Sequence, residues 1–138
     1  MNKYIFSEIE IGQTAEFEKT VSAADMAAFL SLSGDNNPMH VDESFAKNSG
    51  FDGMVVYGML TASLMSTMAG VHLPGENCLL LETSAQFANP VYVGDTLTVS
   101  GKVTAKDERF SQIQVKVVIR NQDGKKVLGG NYIAKVLK

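Results

Sequence analysis

From Gly58 to Ala69 the chain reads GMLTASLMSTMA, and Met59, Leu60, Ala62, Leu64, Met65, Met68 and Ala69 put apolar side chains on nearly every face of a helix. A helix with no wet side has to be surrounded by protein, so the remaining residues must build a wrapping. With 138 residues and 45% hydrophobic content there is material for one substantial core and too little for two ordinary domains. The second half of the chain supplies the wrapping. Cys78 to Ala88, Thr96 to Lys106, Phe110 to Arg120 and Lys125 to Leu137 read as long strands, separated by the turn signals Asn89-Pro90, Gly94-Asp95, Asp107-Glu108 and Asp123-Gly124. Ile113, Val115, Val117 and Ile119 alternate with Gln112, Gln114, Lys116 and Val118, the pattern of a sheet with one buried and one wetter face. A helical first half followed by antiparallel strands makes a single α+β domain over residues 1–138, with one sheet wrapped around the long apolar helix.

Upstream, a short strand is expected near Ala15 to Lys19. Ser22 with Asp25 three residues on forms a capping box, which predicts a helix from about Ala23 to Leu32. Gly34 supplies its stop. Pro38 disfavours the helical region for Asn37, so Ser33 to His40, SGDNNPMH, is expected to be a rigid turn rather than helix. Asp42 can cap a second, short helix over Glu43 to Lys47.

Charge and cysteine count remove several function classes. The net charge of -3 argues against a nucleic-acid or anionic-membrane partner, both of which need a basic face. Met54 to Val71 is apolar, but Gly58, Gly70, Thr61, Ser63, Ser66 and Thr67 interrupt it and no anchor cluster flanks it, so a buried helix is expected and not a membrane span. Cys78 is alone and can form no internal disulfide, and MNKYIFSEIE lacks the apolar core of a signal peptide, so the expected compartment is the cytoplasm.

The chemistry concentrates in SGDNNPMH. In a rigid turn the Asp35 carboxylate and the His40 imidazole can face one small volume and hold a water between them. A carboxylate that accepts a hydrogen bond and an imidazole with a reference pKa of about 6.5 can then do general acid and base work. The plainer alternative is that Asp35 bonds backbone amides at the helix end while His40 packs locally. Gly58 adds to the chemical reading, because a helix N-terminus offers unpaired N–H donors at which a carbonyl oxygen could sit. It serves equally as a tight turn into the helix.

FLSLSGDNNPMHVDESFA, FDGMVVYGMLTASLMS and LPGENCLLLETSAQFANPVYVGDTLTV together resemble the MaoC-like, R-specific (type 2) enoyl-CoA hydratase family. The resemblance runs from about Ser22 to Val99, with a compatible strand pattern beyond. Its most specific part is the hydratase motif S-G-D-x-N-P-x-H, which falls on Ser33, Gly34, Asp35, Asn37, Pro38 and His40. It implies a hot-dog fold, in which an antiparallel sheet wraps a central helix and two subunits commonly pair into one continuous sheet, so a homodimer or higher homo-oligomer is expected. It further implies that Asp35 and His40 bind and activate the water added across a trans-2-enoyl-CoA to give an (R)-3-hydroxyacyl-CoA, while the Gly58 N–H binds the thioester oxygen. Ser66 aligns with a family serine near the catalytic Asp; as a small residue it would also let the helix pack closely. Asn37 and Pro38 are expected to shape the turn. The family usually has His before the Gly-Met, and here Tyr57 stands in its place. Tyr donates a hydrogen bond as neutral imidazole does but is bulkier and does not titrate near neutrality, so altered acyl-chain fit or loop orientation is expected.

No metal or separate cofactor is implied, with coenzyme A entering as part of the substrate and Lys47, Lys102 and Lys106 as candidate phosphate donors. His72 in VHLPG is expected to serve as a helix-end cation. Cys78 reads as a small core residue. Met54, Met59, Met65 and Met68 read as core filling or as a deformable acyl pocket. Three other activities share the fold: an (R)-3-hydroxyacyl-carrier-protein dehydratase, a thioesterase, and a non-catalytic acyl-CoA-binding protein.

Overall fold

A computed structural model describes residues 1–138. Strand β1 (Thr14–Thr20) leads into helix α1 (Ala23–Ser33), and two short helices, α2 (Pro38–Val41) and α3 (Glu43–Asn48), come next. Helix α4 (Gly58–Thr67) continues into a π-helical turn over Met68–His72. Four strands complete the chain: β2 (Cys78–Phe87), β3 (Thr96–Asp107), β4 (Gln112–Arg120) and β5 (Lys126–Val136). They join β1 in one antiparallel sheet of order β1-β3-β4-β5-β2.

Strand alternation sets the faces. Val99 and Val103 of β3, Val115, Val117 and Ile119 of β4, and Tyr132 and Ala134 of β5 are buried, while Lys102, Lys116 and Arg120 between them stay in solvent. The buried face curls around α4 and the π turn, from which Leu60, Leu64, Met65, Met68 and Ala69 complete the core. Gly101 lets the two layers approach, because a Cβ there would stand 2.8 Å from the Met68 sulfur. The result is the hot-dog arrangement expected from the resemblance. No helix is long and apolar enough to cross a membrane.

The capping box is present, with the Asp25 N–H donating to Ser22 Oγ at 3.1 Å and the Ser22 N–H to Asp25 Oδ2 at 2.8 Å. Gly34 ends α1 in the left-handed region at φ 72°, where a residue with a Cβ is strained. Two expectations need correction. SGDNNPMH is not turn throughout: Asn37 caps α2 by accepting from the Met39 N–H at 3.0 Å, and Pro38 occupies its first position, so His40 lies on a helical turn. A proline's missing N–H costs nothing at that position, which is why it starts a helix here instead of preventing one. Nor does protein surround α4 on every side. Met59 is 65% exposed, and with Leu32, Leu80 and Phe87 it belongs to an apolar surface on one flank of the chain.

The N-terminal segment is pinned by Lys106, whose Nζ donates to the Phe6 and Ile9 carbonyls at 3.1 and 2.5 Å and lies 4.4 Å from the Phe6 ring centre. His72 lies flat on Phe17 at 4.8 Å between ring centres, a packing contact at the end of the π turn.

Candidate active site

The turn after α1 is held by its own side chains. Ser33 Oγ donates to the Phe29 carbonyl and accepts from the Asp35 N–H at 3.1 Å, and Asp35 Oδ1 accepts from the Asn37 N–H at 3.1 Å. The second carboxylate oxygen of Asp35 has no partner within the chain, and the residue is exposed on its surface.

His40 is fixed more tightly. Its Nδ1 lies 2.6 Å from the Val55 carbonyl oxygen, and the Val55 N–H returns a bond to the Met39 carbonyl at 3.1 Å. A carbonyl oxygen only accepts, so Nδ1 is the donor in this contact and Nε2 is the ring nitrogen left without a partner in the chain. The imidazole stacks on the Tyr57 ring at 4.2 Å between centres, and the Phe29 ring packs on Tyr57 at 4.6 Å.

Tyr57, the residue that departs from the family pattern, is the centre of this arrangement. It is 2% exposed, and its hydroxyl donates to the Asp35 carbonyl at 2.7 Å. Burial first and the Asp35 charge second push its phenol above the ordinary value, so it remains a protonated donor at any working pH. One side chain therefore ties α1, the Asp35 turn, His40 and the start of α4 together. Tyr57→Phe keeps the stacked ring and deletes that one bond; it is expected to cost about 0.5–1.5 kcal/mol in thermal or denaturant unfolding, and an unchanged midpoint would show that the hydroxyl does not restrain the turn.

At the N-terminus of α4 the Leu60 and Thr61 N–H groups both reach the Tyr57 carbonyl at 3.1 Å. The Gly58 and Met59 N–H groups have no acceptor within the chain. They are the open, positive end of a buried helix. Gly58 also leaves room: a Cβ there would press on the Phe87 ring at 3.2 Å.

Two hollows meet this region. One of about 300 Å³ is lined by His40, Phe51, Val56, Gly58, Thr61 and Phe87, among others. The other, a groove of about 550 Å³, runs along the uncovered flank of α4 between Leu32, Ser33, Met59, Ser66, Leu80 and Phe87. His40 and Gly58 thus share one cavity. Ser66 lies in the groove, Asp35 lines neither hollow, and Tyr57 stands behind both as a buried support. Asn37 and Pro38 form the start of α2. Thr61, which sequence reasoning did not single out as a site residue, enters the cavity because it sits three positions after Gly58 on the same helix face.

Of the lysines considered for phosphate contact, Lys47 pairs with Glu43 at 3.1 Å and Lys106 is engaged with the N-terminal segment. Lys102 is free of any ion pair and stands opposite Lys116 across β3 and β4. Cys78 is half-buried and its thiol is pushed up by burial, away from nucleophilic character. No three His, Cys, Asp or Glu side chains are grouped so as to hold a metal.

The sequence and the fold of this chain have counterparts among known proteins. A family model described as MaoC like domain matches residues 6–124. The (R)-specific enoyl-CoA hydratase of Aeromonas caviae is 39% identical over 128 residues, spanning 93% of this chain and 96% of that protein. The solved (R)-hydratase from A. caviae involved in PHA biosynthesis superposes with a TM-score of 0.88 over 93% of this chain and 97% of its own. R-hydratase PhaJ1 from Pseudomonas aeruginosa is 31% identical, with a TM-score of 0.89 over 96% of this chain and 84% of that one. A 3-hydroxyacyl-[acyl-carrier-protein] dehydratase of Solanum lycopersicum is 30% identical over 91% of this chain and 76% of that protein. A hot-dog sheet curled on α4, a D-x-N-P-x-H motif running from the end of α1 into α2, and similarity over nearly the whole length to hydratases of this kind agree: the chain belongs to the MaoC-like family.

Proposed function

We propose that this chain catalyses the reversible hydration of a trans-2-enoyl-CoA to an (R)-3-hydroxyacyl-CoA. The observation that carries the reading is the meeting, in one cavity, of an imidazole whose tautomer is fixed and a helix N-terminus whose first two N–H groups are unpaired. The thioester oxygen is received at the Gly58 N–H, which draws electron density from the β-carbon. A water held between Asp35 and His40 adds its oxygen there; while the Asp35 carboxylate accepts a hydrogen bond from the hydrogen that stays on that oxygen as the new hydroxyl, His40 Nε2 takes the water's other proton. The enolate stabilised at Gly58 then collects that proton at the α-carbon, and the reverse path eliminates water. An oxyanion donor of this type is worth about 10²–10³ in rate and a positioned base about 10²–10⁴. Written this way the reaction balances without a metal or redox partner, and coenzyme A enters only as part of the substrate.

A homodimer belongs to the same proposal. The outer edge of β2 is unpaired, Leu79, Leu80 and Leu81 along it are 40–48% exposed, and the groove beside it is walled by Leu32, Met59 and Phe87. A second copy seated on this flank would continue the sheet through β2 and screen the Asp35 turn, which comes directly after Ser33 of the groove. The single, half-buried cysteine suits a cytoplasmic setting.

The same chemistry on an acyl carrier protein is the second reading, favoured by the similarity to the tomato dehydratase. The two are separated by offering crotonyl-CoA and the crotonyl-carrier-protein in parallel and monitoring loss of the conjugated thioester absorbance. Turnover of the CoA ester to the (R)-alcohol supports the first, turnover of the carrier ester alone the second, and tight binding without turnover of either removes the enzymatic reading.

A further inference from the structure

Among the buried polar side chains one stands unused. Tyr57, Asn77 and Tyr132 each donate to a backbone carbonyl, of Asp35, Tyr4 and Leu73 respectively. Thr61, only 2% exposed, makes no side-chain hydrogen bond at all. The usual outlet for a hydroxyl on a helix is the carbonyl three or four residues back, and Ser33, Ser49 and Ser63 all take it, toward Phe29, Phe45 and Leu60. The Thr61 hydroxyl does not turn back to the Tyr57 or Gly58 carbonyl. Nor is it sealed off, for no buried side-chain oxygen or nitrogen in the molecule is without both a partner and some accessible surface. It opens on the cavity that it lines with His40 and Gly58. A hydroxyl in an apolar wall of Phe51, Val56 and Phe87 is a costly thing to leave without a partner unless a ligand supplies one.

We propose that Thr61 is a substrate-binding residue whose hydroxyl donates to the same ligand oxygen that the N-terminus of α4 receives. Gly58 and Thr61 line one cavity from the same helix face, and a side chain on a helix leans back toward the N-terminus, which carries the Thr61 hydroxyl toward the end where the Gly58 N–H is open. The ligand class is a compound with an acyl carbonyl on which negative charge develops, which in the hydratase reading is the thioester. The inference rests on that reading for the identity of the oxygen but not for the existence of the contact.

The test compares Thr61→Val, which keeps the shape and deletes the hydroxyl, with Thr61→Ser, which keeps the hydroxyl. Each is measured for thermal midpoint, for crotonyl-CoA hydration, and for binding of butanoyl-CoA, a saturated thioester that cannot be hydrated. Thr61→Val is expected to hold or raise the midpoint, since no internal bond is lost, while kcat/KM falls by about 10–100-fold, mainly in kcat, and Thr61→Ser recovers most of the loss. If the native protein binds butanoyl-CoA but hydrates nothing, weakened binding in Thr61→Val that Thr61→Ser restores still supports the contact, and the hydratase reading alone fails. Native-like turnover and binding in Thr61→Val would overturn the proposal, as would a drop in midpoint with activity lost in proportion, or a native protein that binds no thioester.

Discussion

Asp35→Asn and His40→Ala are each expected to lower crotonyl-CoA hydration by about 10²–10⁴-fold in kcat. The two substitutions remove different things. The amide of the Asp35 variant still offers an oxygen to the Asn37 N–H, so the Asx-type turn keeps its shape and only the charge is lost. Its thermal midpoint should therefore match the native protein's. His40→Ala also deletes the bond to the Val55 carbonyl and the ring stacked on Tyr57, so it should lose stability as well as rate. Full activity of Asp35→Asn at native stability would take Asp35 out of the chemistry and leave it a turn residue.

The second large effect concerns assembly. Sedimentation of the native protein should give twice the 14.9 kDa mass of one chain, and Leu80→Asp should shift it to the single chain with loss of hydration. Leu80 is an exposed apolar side chain on the free edge of the sheet, and it lines the groove with Ser33, two residues before Asp35. In a two-fold interface each substitution enters twice, so two new charges would face an apolar surface across the axis. A native protein that sediments as one chain while turning over crotonyl-CoA would refute the role given to this flank.

Much of this was readable from residues alone, for identifiable reasons. The strands announced themselves because alternation such as Ile113, Val115, Val117 and Ile119 admits only one period, and the turn pairs between them mark their ends. Helix α1 was legible from both termini, since Ser22, Asp25 and Gly34 bond locally and need no knowledge of distant chain. Pro38 misled because one residue type has two meanings: it disfavours helix in the residue before it and favours helix in the residues after it. The exposed flank of α4 was illegible because an apolar residue reads the same whether its own chain or a second copy covers it. The site divided along the same line. Asp35 and His40 stood out by motif, but the partners that define them, the carbonyl of Val55 and the ring and hydroxyl of Tyr57, come from residues 15 and more positions away. Thr61 was silent for a different reason, since its significance lies in a bond it does not make.

The two margins of the sheet are unlike one another, and in the proposed dimer this would decide where growth stops. At one side β2 offers leucines and an open row of backbone donors and acceptors; at the other, β1 carries Glu16, Glu18 and Lys19 along a short strand. Strand margins that recruit more chain make ribbons without end, and charged side chains are one of the ways natural sheets prevent it. If like margins join β2 to β2, only the charged β1 margins face outward, and neither invites another copy. In such a pairing the polarity of a single sheet would act as a chain terminator, turning a surface that could seed a fibre into one that closes after one copy is added.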